Sequence, residues 1–261
     1  MSASPSPSPS PPTLDPGAFA RRIELAARGR GFRVEHFGAI EGVPQLALSH
    51  RTPGPRPRIY LSAGIHGDEP APPLAVLDLL ETGFFDDRAV WLICPLLNPA
   101  GFLACTRGNG AGLDLNRDYR HKVSDEIRAH TRWLNAQPNF DLALCLHEDW
   151  EAQGFYLYEI TSQPHPHLAR DIVRAVALTC PIETAATIDG RNVTEPGIIH
   201  PIPDLQLRDQ WPESIYLHAH HTPLGYTLET PSSRPIEQRV AAQRAAVAAA
   251  VAGAIARARR A

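Results

Sequence analysis

The 261-residue sequence predicts one α/β domain, built as a mixed, mostly parallel central sheet with helices on both faces. Three observations point there. Strand-like and helix-like segments alternate along the chain, several strand-like runs are apolar throughout, and no linker-like stretch interrupts the sequence after its first residues. Strands covered on both faces need such continuous apolar runs. With 43% hydrophobic and 20% charged residues, the chain has the composition of an ordinary globular enzyme and can bury a substantial core.

Residues 1–15 begin with an alternating Ser/Pro tract that cannot bury a core, so this tail is expected to be extended or disordered. It has neither a basic start nor an apolar centre, and so does not read as a secretory signal. The folded domain is expected over residues 16–261. It opens with an amphipathic helix over residues 16–30, in which Phe19, Ile23 and Ala26 recur at helical spacing. Short strands are expected at residues 32–37 and 45–49, and a buried central strand over residues 58–65 that leads into His66.

A helix over residues 71–81 carries prolines at its mouth, where a missing N–H does least harm. Residues 89–94 read as another buried strand and residues 124–135 as a helix capped by Ser124. A third buried strand over residues 141–146 again leads into a histidine, His147. Strands at 155–160 and 226–229 and a long alanine-rich helix over 236–260 close the domain.

A net charge of -3 and a pI near 6.4 give no basic footprint, which argues against nucleic acid as a partner. A membrane is equally unsupported, since the apolar run of residues 241–255 holds Arg244 and mostly small side chains. Cys94, Cys105, Cys145 and Cys180 stand singly, without metal-knuckle or redox spacing, so a reduced, cytoplasmic protein is expected. The sequence sets no oligomeric state.

Four signals carry chemistry. His66-Gly67-Asp68-Glu69 follows a buried strand and precedes a helix, so an imidazole and a carboxylate three residues apart can turn toward one point, as zinc requires. His147 stands where an apolar strand leaves the sheet, and ligands of open α/β sheets gather outside the carboxyl ends of strands. Arg107, Asn116 and Arg117 offer planar donors suited to a carboxylate and a developing oxyanion. Glu229 ends a strand-like apolar run, where partial desolvation would raise its pKa into the range of a general base.

The order of these features closely resembles the zinc metallocarboxypeptidase family typified by pancreatic carboxypeptidase A, over roughly residues 59–231. The short catalytic interval is similar to compact bacterial relatives such as murein peptide amidases and the succinylglutamate desuccinylase/aspartoacylase branch. The resemblance implies one zinc ion on His66, Glu69 and His147, with Asp114 orienting the first histidine and Glu229 as catalytic base. It further implies that Arg107 stabilises the oxyanion and that Asn116 and Arg117 bind a terminal carboxylate. The substrate so implied is a small peptide or an acyl amino acid.

The family's mobile tyrosine has no clear counterpart. Tyr216, in a segment of residues 200–223 rich in Pro, His and aromatic residues, is the candidate, while Tyr226 is expected to be structural. His218, His220 and His221 fit a polar lid better than a second metal site. Glu148 and Asp149 either select a substrate amine or are paired by arginines. Three functions follow: a carboxypeptidase or cell-wall peptide amidase first, an N-acyl amino acid deacylase second, and a non-catalytic zinc-binding recognition protein third.

Overall fold

Period-two alternation along the strands gives one sheet two apolar faces, and each face recruits its own helices. In the computed structural model, which describes residues 14–162, 168–201, 205 and 208–259, the chain opens with α1 (Pro16–Gly29), β1 (Arg33–Ile40), β2 (Val43–His50) and β3 (Arg58–Ser62). Next come α2 (Ala71–Glu81), β4 (Val90–Cys94), α3 (Pro99–Ala104), a 3-10 turn at Leu115–Arg117, α4 (Asp125–Asn135), β5 (Leu142–Asp149), β6 (Tyr156–Thr161) and α5 (Ala169–Val176). The chain ends with short strands β7 (Thr187–Ile188), β8 (Arg191–Asn192) and β9 (Ile198–Ile199), then α6 (Glu213–His220), β10 (Leu224–Pro231) and α7 (Ile236–Ala258). The first thirteen residues, on which the tail expectation mostly falls, lie outside the described residues.

Eight strands form one sheet in the order β1-β2-β4-β3-β5-β10-β6-β9. Its centre, β4-β3-β5-β10, is parallel throughout, while β1 with β2, β2 with β4 and β6 with β10 pair antiparallel and β9 joins β6 in parallel. Ile59 and Leu61 of β3, Leu144 and Leu146 of β5 and Leu228 of β10 face the larger core, which α1, α2, α5 and α7 cover. Tyr60, Ala143 and Cys145 face the other way, against Ile127 and Leu134 of α4 and Leu217 of α6. Burying each large apolar side chain is worth roughly 1.5–3 kcal/mol, and a one-residue slip would turn every one to the wrong face. The register is therefore firmly set, and with it the face on which His147 and Glu229 emerge.

Local chemistry sets the helix starts. Asp15 accepts a hydrogen bond from the Ala18 amide at 2.8 Å, and Ser124 accepts one from the Ile127 amide at 3.3 Å with Asp125 and Glu126 in the first turn. By length and composition alone α7 could cross a membrane. Its Ala242, Ala246, Val247, Ala250 and Val251 are instead buried in the main core, the helical-period stripe of a core helix.

One boundary differs usefully from expectation. The first central strand stops at Ser62, because Gly64 takes a left-handed φ of 67° and turns the chain off the sheet. Ile65 and His66 thus belong to the loop above the strand end. The helices α3, α5 and α6 were not expected; each is eight residues or shorter, and only α5 carries an apolar stripe, of Ala169, Ile172 and Val176.

Candidate active site

The loop after β3 carries the first two candidate ligands, and its path demands glycine at position 67. A Cβ there would lie 1.9 Å from the carbonyl carbon of Gly101 on α3, so only a bare backbone can pack at this point. The Gly67 amide donates to the Thr106 carbonyl at 2.9 Å and fastens the loop. His66 and Glu69 consequently turn to one side, where they meet His147 at the end of β5. The Nδ1 of His66 lies 2.6 Å from Glu69 Oε1, and the Nδ1 of His147 lies 3.2 Å from Glu69 Oε2.

One ligand atom from each of the three falls within 4.8 Å of the others, and all three side chains are buried. Two imidazole nitrogens and a carboxylate so placed could hold a metal ion, and the donor set of two histidines and one glutamate suits catalytic zinc. Gln243 of α7 donates to the His147 carbonyl at 2.7 Å and holds the strand end beneath the cluster. Asp114 ties it to its surroundings. Its Oδ1 lies 3.2 Å from His66 Nε2 and accepts the Asn116 amide at 2.9 Å, while Oδ2 accepts from Arg107 Nε at 3.0 Å.

Charge in the cluster is strongly coupled. Burial pushes the His66 imidazole down, but Glu69 and Asp114 together outweigh it and lift it to about 9. Glu69 responds oppositely: burial raises its carboxyl, yet His66 and His147 hold it far below the usual carboxylate range. Glu229 lies in direct ladder register with His147 on the neighbouring parallel strand, on the same face of the sheet. Its carboxylate accepts no hydrogen bond from another described residue, and burial, then the Glu69 and Asp149 charges, push its pKa well up.

His66, Glu69, Arg107, Asn116, Arg117, His147 and Glu229 all line one cavity of about 600 Å³. Tyr216 is not brought there. It is 2% exposed in the second core, its hydroxyl donates to Asn135 at 2.8 Å, and a side chain so engaged cannot act as a lid. Glu148 points through the sheet to the opposite face, where it pairs with Arg239 of α7 and accepts the Ala71 amide at 2.5 Å. Of the two readings of Glu148, arginine pairing is therefore the one the geometry supports. Asp149 returns to the cavity side and accepts the Tyr156 hydroxyl at 2.9 Å. Among the described residues, His218, His220 and His221 form no ligand cluster; His221 is packed against Phe140 and Tyr216.

Comparison with known proteins fits this geometry. The profile of the succinylglutamate desuccinylase/aspartoacylase catalytic domain matches residues 55–254, about three quarters of the chain. The chain belongs to that family. The fold of this chain is similar to that of a candidate metallopeptidase from Shewanella baltica OS155, 24% identical with a TM-score of 0.79 and 90% of each chain covered. A metallo-carboxypeptidase from Burkholderia cenocepacia is 20% identical with a TM-score of 0.68, over 91% of this chain and 68% of that one. Carboxypeptidase A from Helicoverpa armigera is 16% identical with a TM-score of 0.67, over 90% and 71%. No curated protein matches.

For this member of the desuccinylase/aspartoacylase family, the cavity also contains residues that sequence reading did not single out. Tyr156, Tyr158 and Ile160 of β6 line it, and the β7–β8 hairpin adds Asp189 and Arg191. The Tyr158 hydroxyl donates to Asp189 at 3.2 Å. The spacing of Tyr156, Tyr158 and Ile160 at every second position was the available signal, since it places all three on the face that carries Glu229.

Proposed function

We propose that the protein is a zinc-dependent amide hydrolase that releases an amino acid with a free carboxylate from a small acyl or peptidyl substrate. The observation that carries this reading is the buried convergence of His66, Glu69 and His147, with the unpaired Glu229 carboxylate in register beside it. The three would hold one zinc ion. When bound, zinc lowers the pKa of water and acts as a Lewis acid toward a carbonyl.

The remaining steps belong to this chain's own groups. Glu229, with its raised pKa, takes a proton from the attacking water and returns it to the leaving nitrogen. Arg107, held through Nε by Asp114 and with one terminal nitrogen 3.6 Å from Glu69, brings its charge to the oxygen on which negative charge develops. Asn116 and Arg117 clamp the free carboxylate and so align the neighbouring amide.

Two substrate classes share this chemistry. The family match favours an N-acyl amino acid, whereas the fold neighbours named as carboxypeptidases favour a short peptide. The zinc-loaded protein should be offered N-acetyl and N-succinyl amino acids, dipeptides and γ-glutamyl-diamino-acid peptides, each with its C-terminal carboxamide. Hydrolysis of an acid at least ~10-fold faster than its carboxamide is expected, the difference one charge-assisted contact makes. Failure on the whole panel would overturn the proposal and leave a recognition role.

A further inference from the structure

Behind Asn116 runs a buried polar chain that the proposed reaction does not use. Glu213, in the first turn of α6, is 1% exposed. Its two carboxylate oxygens accept hydrogen bonds from the Tyr60 and Ser62 hydroxyls of β3, each at 2.8 Å. The Tyr60 hydroxyl also lies 2.9 Å from His130 Nε2, and the Tyr119 hydroxyl lies 2.8 Å from His130 Nδ1. Tyr60 has one proton and gives it to Glu213, so His130 Nε2 donates to Tyr60 while Nδ1 accepts from Tyr119. That tautomer needs a neutral imidazole, and burial pushes His130 down to about 3.

The chain ends at the cavity. The backbone amide of Glu213 donates to Asn116 Oδ1 at 2.8 Å. The Asn116 amide group is thereby fixed one way round, with Nδ2, which has no partner among the described residues, left for the cavity. A side-chain amide without that bond could present either end, and its oxygen would repel an anion. Glu213 has no cation in contact, and burial pushes its carboxyl up to about 7. A buried acid held at such cost calls for a task that an apolar residue could not perform.

We propose that Glu213 is a positioning residue for substrate recognition: by fastening the start of α6 to β3, it holds Asn116 with its donor facing the cavity. The inference rests on the reading of Asn116 as part of the carboxylate anchor. The test uses zinc-loaded full-length protein, the best acid of the panel above and its carboxamide, and the Asn116 side-chain amide signal in NMR spectra. Glu213→Ala should raise KM for the acid ~10-fold or more, with kcat within about 3-fold, because one contact to a charged group weakens. The acid-to-carboxamide preference should fall toward that of Asn116→Ala, and the Asn116 amide signal should broaden or double.

Glu213→Gln, which keeps an acceptor and the shape, should restore KM to within about 3-fold of the parent. Should Glu213→Ala not fold, Ser62→Ala removes one of the two hydroxyl fastenings and is expected to shift KM and the amide signal in the same sense. A folded Glu213→Ala or Ser62→Ala protein with unchanged KM, preference and amide signal would overturn the positioning role. If Asn116→Ala is impaired while Glu213→Ala is not, only the positioning role fails; if Asn116→Ala is itself unimpaired, the anchor reading fails with it.

Discussion

Asp114 illustrates how much one short side chain does at the cluster, since its two oxygens engage His66, Arg107 and the Asn116 amide at once. On the proposed reading Arg107 serves the reacting end of the substrate, while Arg117, bonded to the Asn116 carbonyl at 2.8 Å, serves the far carboxylate. An anchor acts in ground and transition states alike, whereas an oxyanion partner strengthens only as charge develops. Arg117→Ala should thus raise KM and erase the preference for acids over carboxamides, and Arg107→Ala should mainly lower kcat by ~10²-fold or more. Steady-state kinetics on one acid and its carboxamide separate the two, and an intact preference in Arg117→Ala would place the anchor elsewhere. His66, His147 and Glu229 could be picked out in the sequence because each follows or ends an apolar run, where a polar side chain stands out, and Glu69 because it stands three residues after His66. Tyr216 was misjudged because an aromatic in a Pro- and His-rich segment reveals neither its face nor its partner, here Asn135.

At the scale of elements, the strand that delivers His147 also delivers Glu148 to the opposite face, where it joins β5 to α7 through Arg239 and to α2 through the Ala71 amide. Both side chains of the pair are buried, at 4% and 6% exposure, so removing one partner leaves the other uncompensated. Glu148→Ala should destabilise the fold by about 3–5 kcal/mol, read by chemical denaturation of the metal-free protein. Replacing the pair together by Leu and Met should recover most of that loss. A loss below about 1 kcal/mol in Glu148→Ala would mean that Arg239 finds other partners. The long and strongly apolar elements were readable: α2 begins and ends where its prolines and apolar run suggest, and Ser124 caps α4 as expected. α6 escaped because Ile215, Tyr216 and Leu217 are consecutive rather than periodic, and only the completed sheet supplies the surface they cover.

For the whole molecule, the parallel centre of the sheet explains why the chemistry gathers where it does. Strands β3, β5 and β10 run the same way, so their carboxyl ends open on one side and bring residues from widely separated stretches of sequence to one cavity. Alternation could be read from sequence and so could the strand ends, but the order of strands could not. That order, with β10 beside β5, is what sets Glu229 against His147 and raises the pKa of a carboxylate that would otherwise end an exposed strand; the proposed reaction uses it as the base. The zinc content and turnover of Glu229→Gln, measured on the same preparation, test this most directly. One zinc per chain with turnover lowered at least ~10²-fold is the predicted result, the share that general base catalysis typically supplies. Near-normal turnover at full zinc occupancy would contradict it.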